Sequence, residues 1–243
     1  MIYTIAAEKG GTGKTATTAA LAQIAARDNK RVLAVDLDPR GDLSYILEAD
    51  ATQPGSYELL HGVPARDLIQ HSPQGMDVIT ATRALNAEGT SAASARRLAA
   101  ALAPIRDEYD AIFIDTPANS NELQLNALQA ADRLIIVLEA DRSSLQALYF
   151  MAQTAAQLKG SNPALTICGA IIGRYAKGTA AINKFLLQQI EQTAASLQIP
   201  FLGIVRDSAG AKEAFNMAQS LIDYLPKSTT TADYKRIYKD ISK

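Results

Sequence analysis

The sequence predicts an α/β fold: a single domain with a doubly wound, mostly parallel sheet and helices on both faces. Three observations predict it. Apolar, often β-branched runs alternate with helical segments, the first run leads through a glycine-rich loop into an alanine-rich helix, and three runs end in charged or phosphate-binding residues. Strands buried on both faces read as continuous apolar runs, and strand–helix alternation favours parallel pairing. The strand-like runs are residues 2–7, 31–36, 76–80, 111–115, 133–138, 165–172 and 201–205, and the helical segments are 14–28, 92–106, 122–130, 143–158 and 180–197. Residues 51–74 are richer in Gly, Pro and His and read as loops with a short helix. Residues 233–243 read as a closing helix, with Tyr234, Ile237, Tyr238 and Ile241 at i, i+3, i+4 and i+7. That short, partly aromatic stripe suits docking onto the body better than entering a membrane.

Composition narrows the function classes. The chain has 243 residues, 48% of them hydrophobic, which suffices for one large core, and no linker, repeat or low-complexity tract divides residues 1–243. No apolar run approaches the roughly 18 residues of a membrane span. The chain enters its first strand directly, with no basic-then-apolar leader, so a cytoplasmic protein is expected. The one cysteine, Cys168, lies in an apolar run and cannot by itself supply a cysteine-rich metal or Fe–S site. Net charge is −1, but residues 174–243 carry 10 Lys+Arg against 6 Asp+Glu. A basic C-terminal third can present a patch to an anionic partner such as nucleic acid, or be ordinary solvated surface.

The chemistry concentrates in Glu8-Lys9-Gly10-Gly11-Thr12-Gly13-Lys14-Thr15. A glycine-rich loop between strand and helix can wrap a polyphosphate with its N–H groups, and the helix that follows points its positive end at the same charge. Lys14 is expected to reach the β- and γ-phosphates, and the Thr15 hydroxyl to bind Mg²⁺. Glu8 stands where the usual loop has glycine, so the motif is a variant whose distinguishing residue is Lys9. Lys9 leaves the loop on the flank opposite Lys14. A lysine presented across a dimer interface would add positive charge to the phosphoryl-transfer transition state, whereas a solvated loop lysine would add nothing. Asp36-Leu37-Asp38-Pro39 ends the second strand, and alternation sends Asp36 and Asp38 to one side. Asp36 could hold a metal-bound water and Asp38 orient the attacking one; a turn capping the next helix is the alternative. Asp115 closes an apolar strand in the position where an acid holds Mg²⁺ through water, and Thr116-Pro117 turns the chain at the rim.

Residues 9–15, Asp36-Leu37-Asp38-Pro39-Arg40-Gly41-Asp42, Ile79-Thr80-Ala81-Thr82 and Ile114-Asp115-Thr116-Pro117, in this order and spacing, resemble the ParA/Soj partition ATPases of the deviant Walker-A class. The resemblance covers nearly the whole chain. It implies a P-loop ATPase that forms an ATP-bound sandwich homodimer, binds DNA without sequence preference, associates with the nucleoid and is stimulated by a ParB-type partner. It implies that Lys9 contacts ATP in the partner subunit, that Lys14 and Thr15 serve phosphate and Mg²⁺, and that Asp38 positions water. Asp36 and Asp115 would support the metal, with Gly10, Gly11, Thr12, Gly13 and Ala16 completing the nucleotide loop.

Several positions depart from the family pattern. Ala16 lacks the second hydroxyl, Arg40 and Asp42 replace Gln and Asn, and Ala118 replaces a second proline. Gly173-Arg174-Tyr175 and Val205-Arg206-Asp207 stand where the family often recognises adenine, which makes Arg206 a nucleotide candidate. No N-terminal helix-turn-helix extension is expected. The pool for DNA contacts is Arg174, Lys177, Lys184, Arg206, Lys212, Lys235, Arg236 and Lys239. The alternative is a MinD-like membrane-cycling ATPase, which needs an amphipathic membrane helix; here Asp233 and Asp240 interrupt the basic face of the closing helix. A single cysteine argues against an Fe–S carrier, and too few C-terminal tyrosines against a bacterial tyrosine kinase.

Overall fold

The computed structural model describes residues 1–87, 94–118, 121–176 and 181–243, with backbone alone for 87, 94, 121 and 181–183. Its strands are β1 (Ile2–Ala6), β2 (Val32–Asp36), β3 (Gln70–Ser72), β4 (Met76–Ile79), β5 (Ala111–Asp115), β6 (Arg133–Leu138), β7 (Thr166–Tyr175) and β8 (Phe201–Arg206). They form one eight-stranded sheet in the order β3-β4-β2-β5-β1-β6-β7-β8. Every neighbouring pair is parallel except β3 with β4, which is antiparallel. The predicted doubly wound class is therefore the observed one. Strand β1 lies between β5 and β6, where the winding reverses, and in open α/β sheets the crevice beyond the carboxyl ends at that point receives ligands. Register aligns Asp36 with Asp115 and Ile5 with Asp115, so three strand ends meet beside the loop that follows β1.

Alternation along the strands feeds two layers. Tyr3 and Ile5 pack with helix α1 (Lys14–Arg27) on one face; Ile2 and Ala6 face the other layer, which includes helices α4 (Arg97–Leu102), α5 (Asn121–Ala130), α6 (Ser143–Leu158) and α7 (Ala181–Ser196). The closing helix α10 (Thr229–Ile241) starts at Ser228, whose side chain accepts from Thr231 N. Its Tyr234, Ile237 and Ile241 are buried in the same cluster as Tyr3, and Tyr3 Oη donates to Ile241 O at 3.2 Å. Burying each such side chain contributes about 1.5–3 kcal/mol. The apolar stripe thus docks onto the body, as expected. Among the described residues no helix is long and apolar enough to cross a membrane.

Elsewhere the structure corrects the sequence reading. Of the helix expected over 92–106, only a 3₁₀ turn (Ser94–Arg96) and the short α4 form; residues 92 and 93 lie outside the described residues. Pro104 explains the stop, because it lacks an N–H and restricts the residue before it. Strand β7 runs on to Tyr175, beyond the expected end at 172. Within 51–74 the short helix is α3 (Ser56–Leu60), and β3 was not expected. Three further short helices were not singled out either: α2 (Asp42–Ile46), α8 (Ala209–Asn216) and α9 (Leu221–Tyr224).

Candidate nucleotide site

The loop after β1 is shaped by glycines. Gly11 and Gly13 have φ of 80° and 97°, the left-handed region that glycine enters without a Cβ penalty. Strand β7 backs directly onto the loop: a Cβ on Gly173 would lie 2.2 Å from Thr12 O. Helix α1 begins at Lys14 with no side-chain cap, leaving its first N–H groups for a ligand. The buried Thr12 Oγ1 has no hydrogen-bond partner among the described residues, which suits a loop that closes on phosphate oxygens.

The two lysines part company. Lys14 is 5% exposed, and its Nζ donates to Lys9 O at 3.2 Å. Burial pulls its pKa down, Asp115 and Asp38 oppose the fall, and Arg40 adds to it. Lys9 extends outward, and its Nζ donates to Asp141 Oδ2 at 2.8 Å, with both side chains well exposed. Asp141 sits at the start of α6 and also accepts from Ser143 Oγ (2.7 Å) and Ser144 N (3.0 Å). Partial burial would raise the Asp141 pKa, but the bonds from Lys9, Ser143 and Ser144 outweigh it and hold the carboxyl at about 2. The same hydrogen bond raises the pKa of Lys9.

The acids also divide their work. Thr15 Oγ1 donates to Asp115 Oδ2 at 2.7 Å, and Thr18 Oγ1 to Asp115 Oδ1 at 3.2 Å. Asp36 Oδ1 accepts from Asp38 N (3.0 Å), and its Oδ2 accepts from Ser44 N (2.9 Å) and Ser44 Oγ (2.7 Å). Asp36, expected beside the metal, uses its oxygens here to hold the turn that carries Asp38 into α2. Both Asp36 and Asp115 are fully buried and neighbours in register. Burial raises both pKa values, and Asp36 raises that of Asp115 further. Thr15 and Asp115 form a hard oxygen pair that fits Mg²⁺, a cation that takes few protein ligands and would offset this crowding of buried charge.

Asp38 is 4% exposed. Its Oδ1 accepts from Arg40 N (3.1 Å) and Nε (3.4 Å), and its Oδ2 accepts from Arg40 Nη2 (3.2 Å). Arg40 Nη2 also lies 3.2 Å from Asp42 Oδ2.

A cleft of about 400 Å³ runs from the loop toward β8 and α8. One wall is the start of α1 with Arg40 and Tyr45; the other is Arg174, Val205 to Ser208 and Phe215. Arg174 adopts φ 50°, uncommon for a residue with a Cβ, and the turn aims its Nη1 at Gly11 O, 2.8 Å away. Arg206 reaches the cleft, but Nε and Nη2 donate to Asp233 at 2.8 and 2.7 Å, so its guanidinium is committed to docking α10. Its backbone is engaged there too: Arg206 N donates to Asp233 Oδ2 at 3.0 Å, and its carbonyl accepts from Thr230 Oγ1 at 2.9 Å. Tyr45 Oη donates to Asn216 O at 2.7 Å and closes the far end.

Comparison with known proteins agrees with this arrangement. The family described as AAA domain (AAA_31) matches residues 1–167. The chromosome-partitioning ATPase Soj of Thermus thermophilus is 32% identical over 98% of this chain and 93% of its own length. This chain belongs to the ParA/Soj family of partition ATPases. The chromosome partitioning protein ParA of Caulobacter vibrioides is 35% identical over 72% of this chain and 69% of its own. In fold, the apo McdA structure of Cyanothece superposes with a TM-score of 0.88, at 23% identity, covering 99% of this chain and 98% of that one.

For a ParA/Soj-type ATPase, the structure separates the basic residues into two groups. Arg174, Arg206 and Lys212 line the nucleotide cleft, and Lys212 Nζ donates to Asp207 Oδ2 at 2.8 Å. Lys184 on α7 and Lys235, Arg236 and Lys239 on α10 are exposed on the surface. Lys177 lies outside the described residues. Asp141, Ser44 and Tyr45 are not singled out by the sequence. A faint signal existed for Asp141, three residues beyond a strand end and followed by Ser143-Ser144, which is a helix-start pattern.

Proposed function

We propose that this protein hydrolyses ATP within a sandwich homodimer, binds DNA without sequence preference in that state, and moves a plasmid or chromosome cargo with a ParB-type partner. The divergence of the two loop lysines carries this reading. Lys14 is buried in the loop that would cradle the β- and γ-phosphates. Lys9 is directed to the outer flank, held among the described residues by a solvent-exposed pair of a kind that contributes little to stability and is readily exchanged. A lysine so placed can leave Asp141 for the terminal phosphates of a second copy, which couples turnover to pairing.

Within one subunit the loop N–H groups, Lys14 and the α1 terminus hold the triphosphate, and Arg174 braces the loop. Mg²⁺, held through Thr15 with Asp115 behind it, would neutralise charge on the terminal phosphates. Asp38 orients the attacking water and accepts its proton as the γ-phosphoryl group transfers. The exposed lysines of α7 and α10, with Arg236, neutralise DNA phosphates once pairing doubles their number. Support comes from family membership, from the buried stripe of α10, which leaves that helix no apolar face for a membrane, and from the basic residues outside the cleft.

The test combines light scattering, ATP turnover with and without DNA, and DNA binding across salt. ATP-dependent dimers that bind DNA with a steep salt slope are expected. Strong ATP-dependent binding to anionic liposomes without DNA binding would favour a membrane-cycling protein instead.

A further inference from the structure

We propose that Arg40 is a positioning residue that, in the ATP-bound subunit, divides its time between Asp38 and the terminal phosphates and slows turnover by the share it spends on Asp38. The proposal rests on the reading of Asp38 as the acid that handles the attacking water. To act, Asp38 must turn an oxygen toward that water with a lone pair available. Here Arg40 takes both oxygens, Oδ1 through N and Nε and Oδ2 through Nη2, while Asp38 itself is nearly fully buried. The backbone contact is an ordinary turn. The guanidinium fork is not required by the turn, and it covers the oxygen that the turn leaves free.

Three further observations fit a movable restraint rather than a fixed brace. The Arg40 side chain is 65% exposed, so its rotation is not opposed by packing. Nη2 is shared with Asp42 at 3.2 Å, giving the guanidinium a second resting place one turn along. Arg40 also borders two spaces: the nucleotide cleft beside Lys14 and Thr15, and a hollow of about 600 Å³ on the other side, lined by Gly10, Asp38 and Pro117. A triphosphate in the cleft competes with the Asp38 carboxylate for the guanidinium, because it offers charge and a matching set of oxygens. When Arg40 moves to the phosphates, Asp38 is uncovered on the side of the hollow, where water enters.

The test is steady-state ATP turnover by the full chain with its DNA and partner omitted. Arg40→Gln should raise kcat about two- to fivefold, the scale of one exposed ion pair. Arg40→Lys, which keeps the charge and loses the fork, should fall between. Asp42→Asn removes the alternative resting place, leaves the guanidinium wholly to Asp38 and should lower kcat about twofold. An Arg40→Gln kcat equal to or below that of the natural chain overturns the restraint. So does a rise in both Arg40→Gln and Asp42→Asn, which would signal a loosened turn. Asp38→Ala separates the underlying reading: background turnover supports Asp38 as the acid, and undiminished turnover removes both the acid and its restraint.

Discussion

Two lysines five residues apart, in one loop, occupy opposite physical situations. Lys14 is buried, its charge opposed by desolvation and supported by the Asp115 and Asp38 carboxylates. Lys9 is exposed, its charge supported first by the hydrogen bond to Asp141 and further by the Glu139 and Glu8 carboxylates. A buried ammonium is placed by the fold and cannot be moved without unpacking the loop, so it suits a ligand bound within the chain. An exposed ammonium in a screened pair exchanges partners at little cost, so it suits a ligand presented from outside. On the proposed function, the difference would separate binding, which one subunit completes, from turnover, which would need two.

The sharpest way to break this contrast is to remove each lysine in turn. Lys14→Ala should weaken ATP binding by about a hundredfold or more, on the scale of deleting one partner of a desolvated charge interaction, and abolish ATP-dependent dimers in light scattering. Lys9→Ala should leave ATP affinity of the monomer within about threefold in a fluorescent-nucleotide titration, since its exposed pair contributes little, while turnover falls about a thousandfold. Equal losses of affinity in the two variants would erase the distinction between them.

Smaller effects sharpen the contrast. Asp141→Asn removes the resting place of Lys9 and should speed ATP-dependent dimer formation about two- to fivefold by stopped-flow scattering. The same substitution has an acid signature. A carboxyl held at about 2 contributes stability above its unfolded pKa near 3.9, and that contribution is lost as pH falls through about 2. The thermal-stability gap between the natural chain and Asp141→Asn should therefore be constant above about pH 5 and close toward pH 2. Least in size, Lys235→Ala with Lys239→Ala should reduce the slope of log affinity for DNA against log salt by about two per monomer bound, with equal loss on any DNA sequence.

The phosphate loop, the acids at Asp38 and Asp115 and the strand order class were legible because each depends on residues close in sequence. The glycines, Lys14 and Thr15 are fixed by one local turn, and a strand that ends in an acid carries that acid to the sheet's edge wherever it lies. What escaped the sequence depends on distant partners. Asp141 meets Lys9 across 132 positions, and Asp233 claims Arg206 across 27. Charge counting suggested a basic C-terminal third, but Arg206 and Lys212 are paired within it and Arg174 is turned onto the loop by a left-handed backbone. The helix expected over 92–106 falls short because Pro104 stops it, and α4 ends at Leu102. Strand β3 escaped because its three residues, Gln70, His71 and Ser72, are all polar and leave no apolar run.

The most direct test of the account mixes two inactive variants, Lys9→Ala and Asp38→Ala, in equal amounts with ATP. In a heterodimer the Lys9→Ala subunit keeps its own Asp38 and receives Lys9 from its partner, so one site is complete. Recovery to roughly a quarter of the natural rate is expected, since about half of randomly paired dimers are heterodimers with one working site each. A mixture that stays at the background of either variant alone would place Lys9 in its own subunit's site and contradict the account.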